Sequence, residues 1–205
     1  MMNLPQQKEH KMPEISFEIS RDVTRVWDLD VPVVIDKASK NIKAYLTGPI
    51  EEPFTYNELC YLLNNADSST TVDLYINTPG GIIDSAFMLA GAIETSKAVV
   101  TAHLSGTVAS AGTIITMVCD KIALTPHLSF MIHNYSGGMS GKGHEMKARQ
   151  KFTDDHLNEA FKSFYSGFLT DDEMDRVVEG TDLWMGSKEV QTRWCSRTEY
   201  VKGEL

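Results

Sequence analysis

The most constraining feature of this sequence is a section of about 60 residues in which β-rich runs alternate with helical ones. Residues 72–76 (VDLYI) form a β-rich run that meets Pro79-Gly80-Gly81. Residues 84–97 follow with Ala86, Leu89, Ala90 and Ile93 at helical spacing. Residues 99–104 are β-rich again and are interrupted by Ser105-Gly106. Residues 110–118 read as a buried helix, and residues 121–124 and 129–133 as two short strands. Strand and helix in this order imply βαβ crossovers and a largely parallel sheet, because each strand must return to the same sheet edge through a helix.

The flanks fit the same domain. Ile42, Ala44 and Leu46 alternate with less apolar residues and end at Gly48-Pro49, a strand and a turn. Residues 55–65 predict a helix, with Thr55 as N-cap and Glu58 completing a capping box. Residues 136–143 hold four glycines and predict a flexible turn. A long polar helix is expected over 144–166, closed by Gly167. It carries Phe161 and Phe164, with Phe168 at the same spacing, as an apolar stripe expected to meet another subunit. A short helix over 171–179, a strand over 183–185 and a last helix starting at Ser187 complete the chain, with a polar tail. Ile15, Phe17 and Ile19 alternate like a strand. Residues 1–14 are expected to be a flexible arm, and 15–205 a single α/β domain.

Composition narrows the function. A formal net charge of -9 and a pI near 5.1 argue against nucleic acid as a partner, since phosphate binding needs clustered Lys and Arg. No run is long and apolar enough for a membrane span, and the polar N-terminus predicts a cytoplasmic protein. Cys60, Cys119 and Cys195 are widely spaced and odd in number, a pattern that favours neither zinc nor a disulfide framework.

Ser110 stands between a strand and an apolar helix, where free N–H groups favour developing negative charge. The N–H of Ala111 could hold an oxyanion there. The same pattern fits a plain N-cap. Gly80 and Gly81 follow a strand end at the carboxyl edge of the sheet, where backbone can approach a ligand, or simply turn. His133 ends a buried run and can act as a general base, or satisfy a core hydrogen bond. Asp182 precedes an apolar strand and can orient an imidazole, or serve as a turn residue. Asp171, Asp172 and Asp175 fit a solvated helix start better.

Taken in order, Ile76-Asn-Thr-Pro-Gly-Gly81, the Ala-Ser-Ala-Gly segment around Ser110, and Phe130-Met-Ile-His133 with Gly137-Gly138 behind it resemble the Clp protease proteolytic subunits. The resemblance runs from about residue 40 to 190. It implies a ClpP/crotonase-like fold with stacked βαβ units and a protruding handle helix. It implies a serine endopeptidase with Ser110 as nucleophile, His133 as base, Asp182 as its orienting acid, and Gly81 and Ala111 as oxyanion donors. It also implies that Gly80, Gly137 and Gly138 bind extended substrate, that no metal or cofactor is used, and that the chain forms a homo-oligomeric ring served by an AAA+ unfoldase. Two departures bear on assembly. The first 40 residues do not resemble the family's axial loops, and Thr181 stands where the family usually has an arginine between rings. Two other readings compete: a crotonase-type acyl-CoA enzyme and a catalytically silent ring subunit.

Overall fold

The computed structural model describes residues 33–36, 39–138 and 140–203; the expected arm over 1–14 and the alternating residues 15–19 lie outside them. Seven strands form one sheet: β1 (Val33–Asp36), β2 (Asn41–Thr47), β3 (Thr71–Thr78), β4 (Val99–Ala109), β5 (Lys121–Leu124), β6 (Ser129–Ile132) and β7 (Leu183–Gly186). Their order is β1-β2-β3-β4-β6-β7, with β5 beside β4. The centre is parallel, and the outer pairs β1–β2 and β6–β7 are antiparallel.

Parallel strands covered on both faces read as unbroken apolar runs. These do not: in β3, Val72, Leu74 and Ile76 are fully buried, while Asp73 and Tyr75 between them are half-buried. The helices therefore seal one face more fully than the other. On the less covered face Tyr45, Tyr75 and His103 stack across three strands, with ring centroids 4.8 and 4.6 Å apart. Asp73 accepts or shares a proton with His103 at 2.8 Å on that face.

Strand β4 runs five residues beyond the expected stop at Ser105-Gly106. Gly106 takes φ +60°, and Asn77 Oδ1 accepts the N–H of Thr107 at 3.1 Å. The kink is thus absorbed as a register shift against β3, between Ile76 and Thr78. Past it, β4 changes neighbours: residues 101–104 pair with β5 and residues 107–109 with β6. That exchange carries the end of β4 to the end of β6.

The helices are α1 (Asn57–Asn65), α2 (Ile83–Thr95), α3 (Ala111–Met117), α4 (Gly143–Tyr165), α5 (Asp171–Val178) and α6 (Ser187–Gly203). Leu59, Leu63, Leu89, Ile93 and Ile115 bury their side chains in the core, each contributing about 1.5–3 kcal/mol. The capping box expected at Thr55 and Glu58 does not form. Pro53 starts a 3-10 turn (Pro53–Tyr56), so α1 begins later, with Tyr56 at the N-cap and no side-chain cap. A capping box does close α5, between Thr170 and Glu173.

The tail expected to be merely polar is helical through Gly203. Two arginines of α6 explain why it stays. Arg193 binds Glu173 bidentately at 2.7 and 2.8 Å and reaches the carbonyl of Phe168. Arg197 donates to the carbonyls of Ser166 and Met117, the ends of α4 and α3. Such cations suit exposed helix C-terminal carbonyls.

The aromatic stripe of α4 is also corrected. Gly167 (φ +74°) turns the chain, so Phe168 leaves the helix and is buried near Phe130, with centroids 5.9 Å apart. Phe161 packs on Tyr165 and Phe164 on Phe87, at 4.5 and 5.7 Å. The rings of Phe161 and Phe164 are partly buried against the chain's own core. Most of the N-terminal part of α4 is exposed, Phe152 included at 68%.

Candidate active site

The end of β4 delivers Ser110 in an unusual conformation. Its φ is 54° and its ψ -125°, a region that costs a residue other than glycine on the order of 1–3 kcal/mol. The surroundings hold it there. Ser110 N–H donates to the Met131 carbonyl at 2.9 Å, and its carbonyl accepts from Thr113 Oγ1 at 2.7 Å. Thr113 in turn receives the hydroxyl of Tyr165 at 2.6 Å. Burial pushes the Tyr165 phenol far up, so it remains a donor. The Ser110 side chain caps no helix. Its Oγ lies 2.7 Å from His133 Nε2.

Gly80 explains why this turn has glycines behind it. A Cβ at Gly80, whose φ is +97°, would lie 2.5 Å from Ser110 Cβ and 2.9 Å from the Ala109 carbonyl. Thr78 Oγ1 accepts the Gly80 N–H at 3.0 Å and fixes the turn. Gly81 is pressed against Ile50, whose carbonyl would be 2.2 Å from an added Cβ. The Ile50 backbone bonds to the residues on either side, Gly80 and Ile82, both at 2.9 Å. The N–H of Gly81 is left over, and so is that of Ala111: neither donates to another described residue. Both residues line the same cavity as Ser110 and His133.

His133 follows β6 directly, and Asp182 directly precedes β7. The antiparallel register ends at Ile132 opposite Leu183. One further step sets Asp182 across from His133, a relation in which Cβ atoms stand about 4.5–5.5 Å apart. No hydrogen bond joins the two side chains, and Asp182 is exposed. Asn134 Nδ2 donates to the Val178 carbonyl at 2.8 Å, which fastens the chain after His133 to the end of α5.

The cavity measures about 460 Å3. Ile83, Phe87, Ile114, Phe161 and Phe164 form an apolar end. Gly137 and Gly138 line it, whereas Gly80 lies against Ser110 and does not. Helix α4 supplies much of the opposite wall. The link between that wall and the segment after His133 is one the sequence reading missed. Tyr135 donates its hydroxyl to the Asp154 carboxylate, and Gln150 Nε2 donates to both at 2.7 Å. The Asp154 carboxylate beside it holds the Tyr135 phenol above its ordinary range. Nothing local in the sequence signals this contact, which spans 19 residues.

Among the described residues, no group of three His, Cys, Asp or Glu side chains could hold a metal ion. No described helix is long and apolar enough to cross a membrane.

Comparison with known proteins places this geometry in context. The model of the Clp protease family matches residues 32–192. An ATP-dependent Clp protease proteolytic subunit of Streptococcus suis is 31% identical over 128 residues, covering 54% of this chain and 65% of the relative. Its counterpart from Streptococcus pneumoniae is 30% identical over the same span. The chain thus spans just under two thirds of the length of these relatives.

Proposed function

The chain belongs to the Clp protease family, and on that premise we propose that it is a serine endopeptidase working through an acyl-enzyme. The observation that carries the reading is the 2.7 Å contact between Ser110 Oγ and His133 Nε2 at a turn strained to present the serine. Nucleophile and base within hydrogen-bond reach is the geometry this chemistry requires.

In this reading His133 takes the Ser110 proton as Oγ attacks a peptide carbonyl. The N–H groups of Gly81 and Ala111 receive the oxyanion; both line the cavity without a described partner. His133 then protonates the leaving amine, and water releases the acyl group. Asp182 orients the imidazole. The register at the β6–β7 end, which sets Asp182 opposite His133, supports that role. Gly137 and Gly138 pair with the extended peptide by main-chain hydrogen bonds. No metal or cofactor takes part.

The relatives are named ATP-dependent Clp protease proteolytic subunits, which supports dependence on ATP and work within an assembly; we take that assembly to be a homo-oligomeric ring in the cytoplasm, fed by an AAA+ unfoldase. In this reading ring contact uses the exposed part of α4; Phe168 is buried within the chain, and Phe161 and Phe164 are partly buried against its core. A catalytically silent subunit is favoured by one observation, the absence of a hydrogen bond between His133 and Asp182.

Labelling with a fluorophosphonate probe decides between them. Covalent modification at Ser110, lost in Ser110→Ala, is the expected result. An unlabelled wild-type protein that also leaves short peptides intact would end the peptidase reading. Light scattering at micromolar concentration tests the ring, against a monomer of 22.9 kDa.

A further inference from the structure

One face of α4 turns into the cavity and changes character along its length. Arg149, Thr153, Leu157 and Phe161 recur at intervals of four, so they form one stripe, and all four line the cavity. The helical rise puts Arg149 about 18 Å from Phe161 along the axis. The stripe thus runs from an aromatic end, shared with Phe87 and Phe164, to a guanidinium.

That guanidinium has no described partner. Glu145, one turn earlier, faces Lys142 and His144 at 3.7 and 3.9 Å. Asp154 is taken by Tyr135 and Gln150, and Asp155 by Lys151 at 2.7 Å. No Asp or Glu lines the cavity, so Arg149 is the permanent charge on its wall. In a chain of net charge -9, the wall of the cavity is positive where most of the protein is negative. An arginine's planar fork matches a carboxylate with two parallel hydrogen bonds.

Resting on the peptidase reading, we infer that Arg149 is a specificity-determining residue that binds a carboxylate of the substrate. The preferred peptide places a large apolar side chain in the aromatic end and an acidic group about five to six residues away, the number an extended chain needs to cover the stripe. The carboxylate comes from an Asp or Glu side chain or from the peptide's own C-terminus.

The test uses internally quenched decapeptides in which one Asp is walked along a neutral sequence, each compared with its Asn counterpart. Each peptide is made with a free and with an amidated C-terminus. The expected result is one Asp position at which KM falls about three- to tenfold relative to Asn. If the terminal carboxylate is the ligand, amidation removes the gain instead. Arg149→Gln brings the Asp-to-Asn ratio to about one, Arg149→Lys keeps part of it, and Arg149→Glu transfers the preference to Lys at that position. A ratio near one in the wild type overturns the inference while leaving the peptidase reading intact, and so does an Asp preference that survives Arg149→Gln. Anisotropy of the same peptides, labelled, on Ser110→Ala gives a readout without hydrolysis. Equal affinity for the Asp, Asn, free and amidated forms there overturns the inference even if catalysis is never observed.

Discussion

Two halves of the candidate site are built by different forces. The nucleophile half, β3–α2–β4–α3, is a packed βαβ layer in which Val72, Leu74, Ile76, Val100, Ala102, Leu104 and Ile115 have no exposed surface. The base and wall half, residues 133–165, holds a helix of 23 residues with Tyr165 as its one buried side chain. Side-chain hydrogen bonds fasten it: Tyr135 to Asp154, Gln150 to both, Asn134 to Val178, and Tyr165 to Thr113. Apolar packing tolerates no displacement without opening a cavity, whereas polar links at a surface break and reform at small cost. A strained serine needs the first kind of support. In the peptidase reading, a wall that admits a peptide needs the second. Substitutions in the first half, and at His133 itself, should therefore act on chemistry or stability, and those in the rest of the second half on access.

The sharpest test of the nucleophile half is Ser110→Ala. Hydrolysis of a short fluorogenic peptide should fall by roughly 10^6-fold, and His133→Ala by about as much, because triad members act as a unit. Activity within tenfold of wild type in either variant would remove the distinction between the halves. Asp182→Asn comes next. If Asp182 turns toward His133 during catalysis, kcat should drop on the order of 10^4-fold by favouring the wrong tautomer. A loss of less than tenfold would show that the exposed Asp182 acts elsewhere.

Stability should divide in the same way. Leu74→Ala in the packed layer should cost about 2–5 kcal/mol in urea unfolding, and Phe152→Ala on the exposed face of α4 less than about 0.5 kcal/mol. Similar costs would mean that α4 is as integral as the sheet. Between the halves lies the α5–α6 clamp. The Arg193 guanidinium holds the Glu173 carboxyl well below its usual range, at about 2. A depressed carboxyl gives stability that is fully present above the unfolded value of about 4.3. That stability is lost as pH falls through about 2. The wild type should lose stability steeply across that window, and Glu173→Gln should be less stable at neutral pH but flatter below pH 4.5 in acid-titrated melts. Parallel curves would exclude the ion pair as the source. The smallest effect expected on activity is that of Tyr135→Phe, which frees Asp154: a rise of about two- to fivefold in KM with kcat unchanged, from the loss of one hydrogen bond of about 1 kcal/mol. A fall in kcat instead would make the link a positioning device for His133.

Sequence pattern exposes what is local. The period of β3 and α2 was legible because each buried residue sits at its own regular spacing. Ser110 and His133 stood out only as options, since neither motif contains the other; the β4–β6 ladder that joins them is a tertiary fact. Gly106 reads as a strand end because glycine usually weakens strands, yet Asn77 from the neighbouring strand lets β4 continue. The Thr170–Glu173 box was readable as T-x-x-E and was overlooked beside the stronger acidic run that follows. Tyr135–Asp154 and Arg193–Glu173 had no legible trace, because long-range polar pairs leave no periodicity. The aromatic stripe misled for a geometric reason: helical spacing was extended through Gly167, where the helix has already ended.

The stacked rings on the less covered sheet face carry an optical consequence. Tyr45 and Tyr75 are stacked with nearly parallel planes, 11° apart, at 4.8 Å, so their coupled transitions contribute circular dichroism in the near ultraviolet. That signal reports the β2–β3 register without any label. With Trp27→Phe and Trp194→Phe in place, Trp184, 60% exposed on β7 beside β6, is the remaining indole emitter and is open to aqueous quenchers. The protein thus carries its own two-channel spectrometer. Loss of the tyrosine couplet at unchanged Trp184 quenching reads a scaffold slipping under an intact base, and the reverse reads the base region loosening over an intact scaffold.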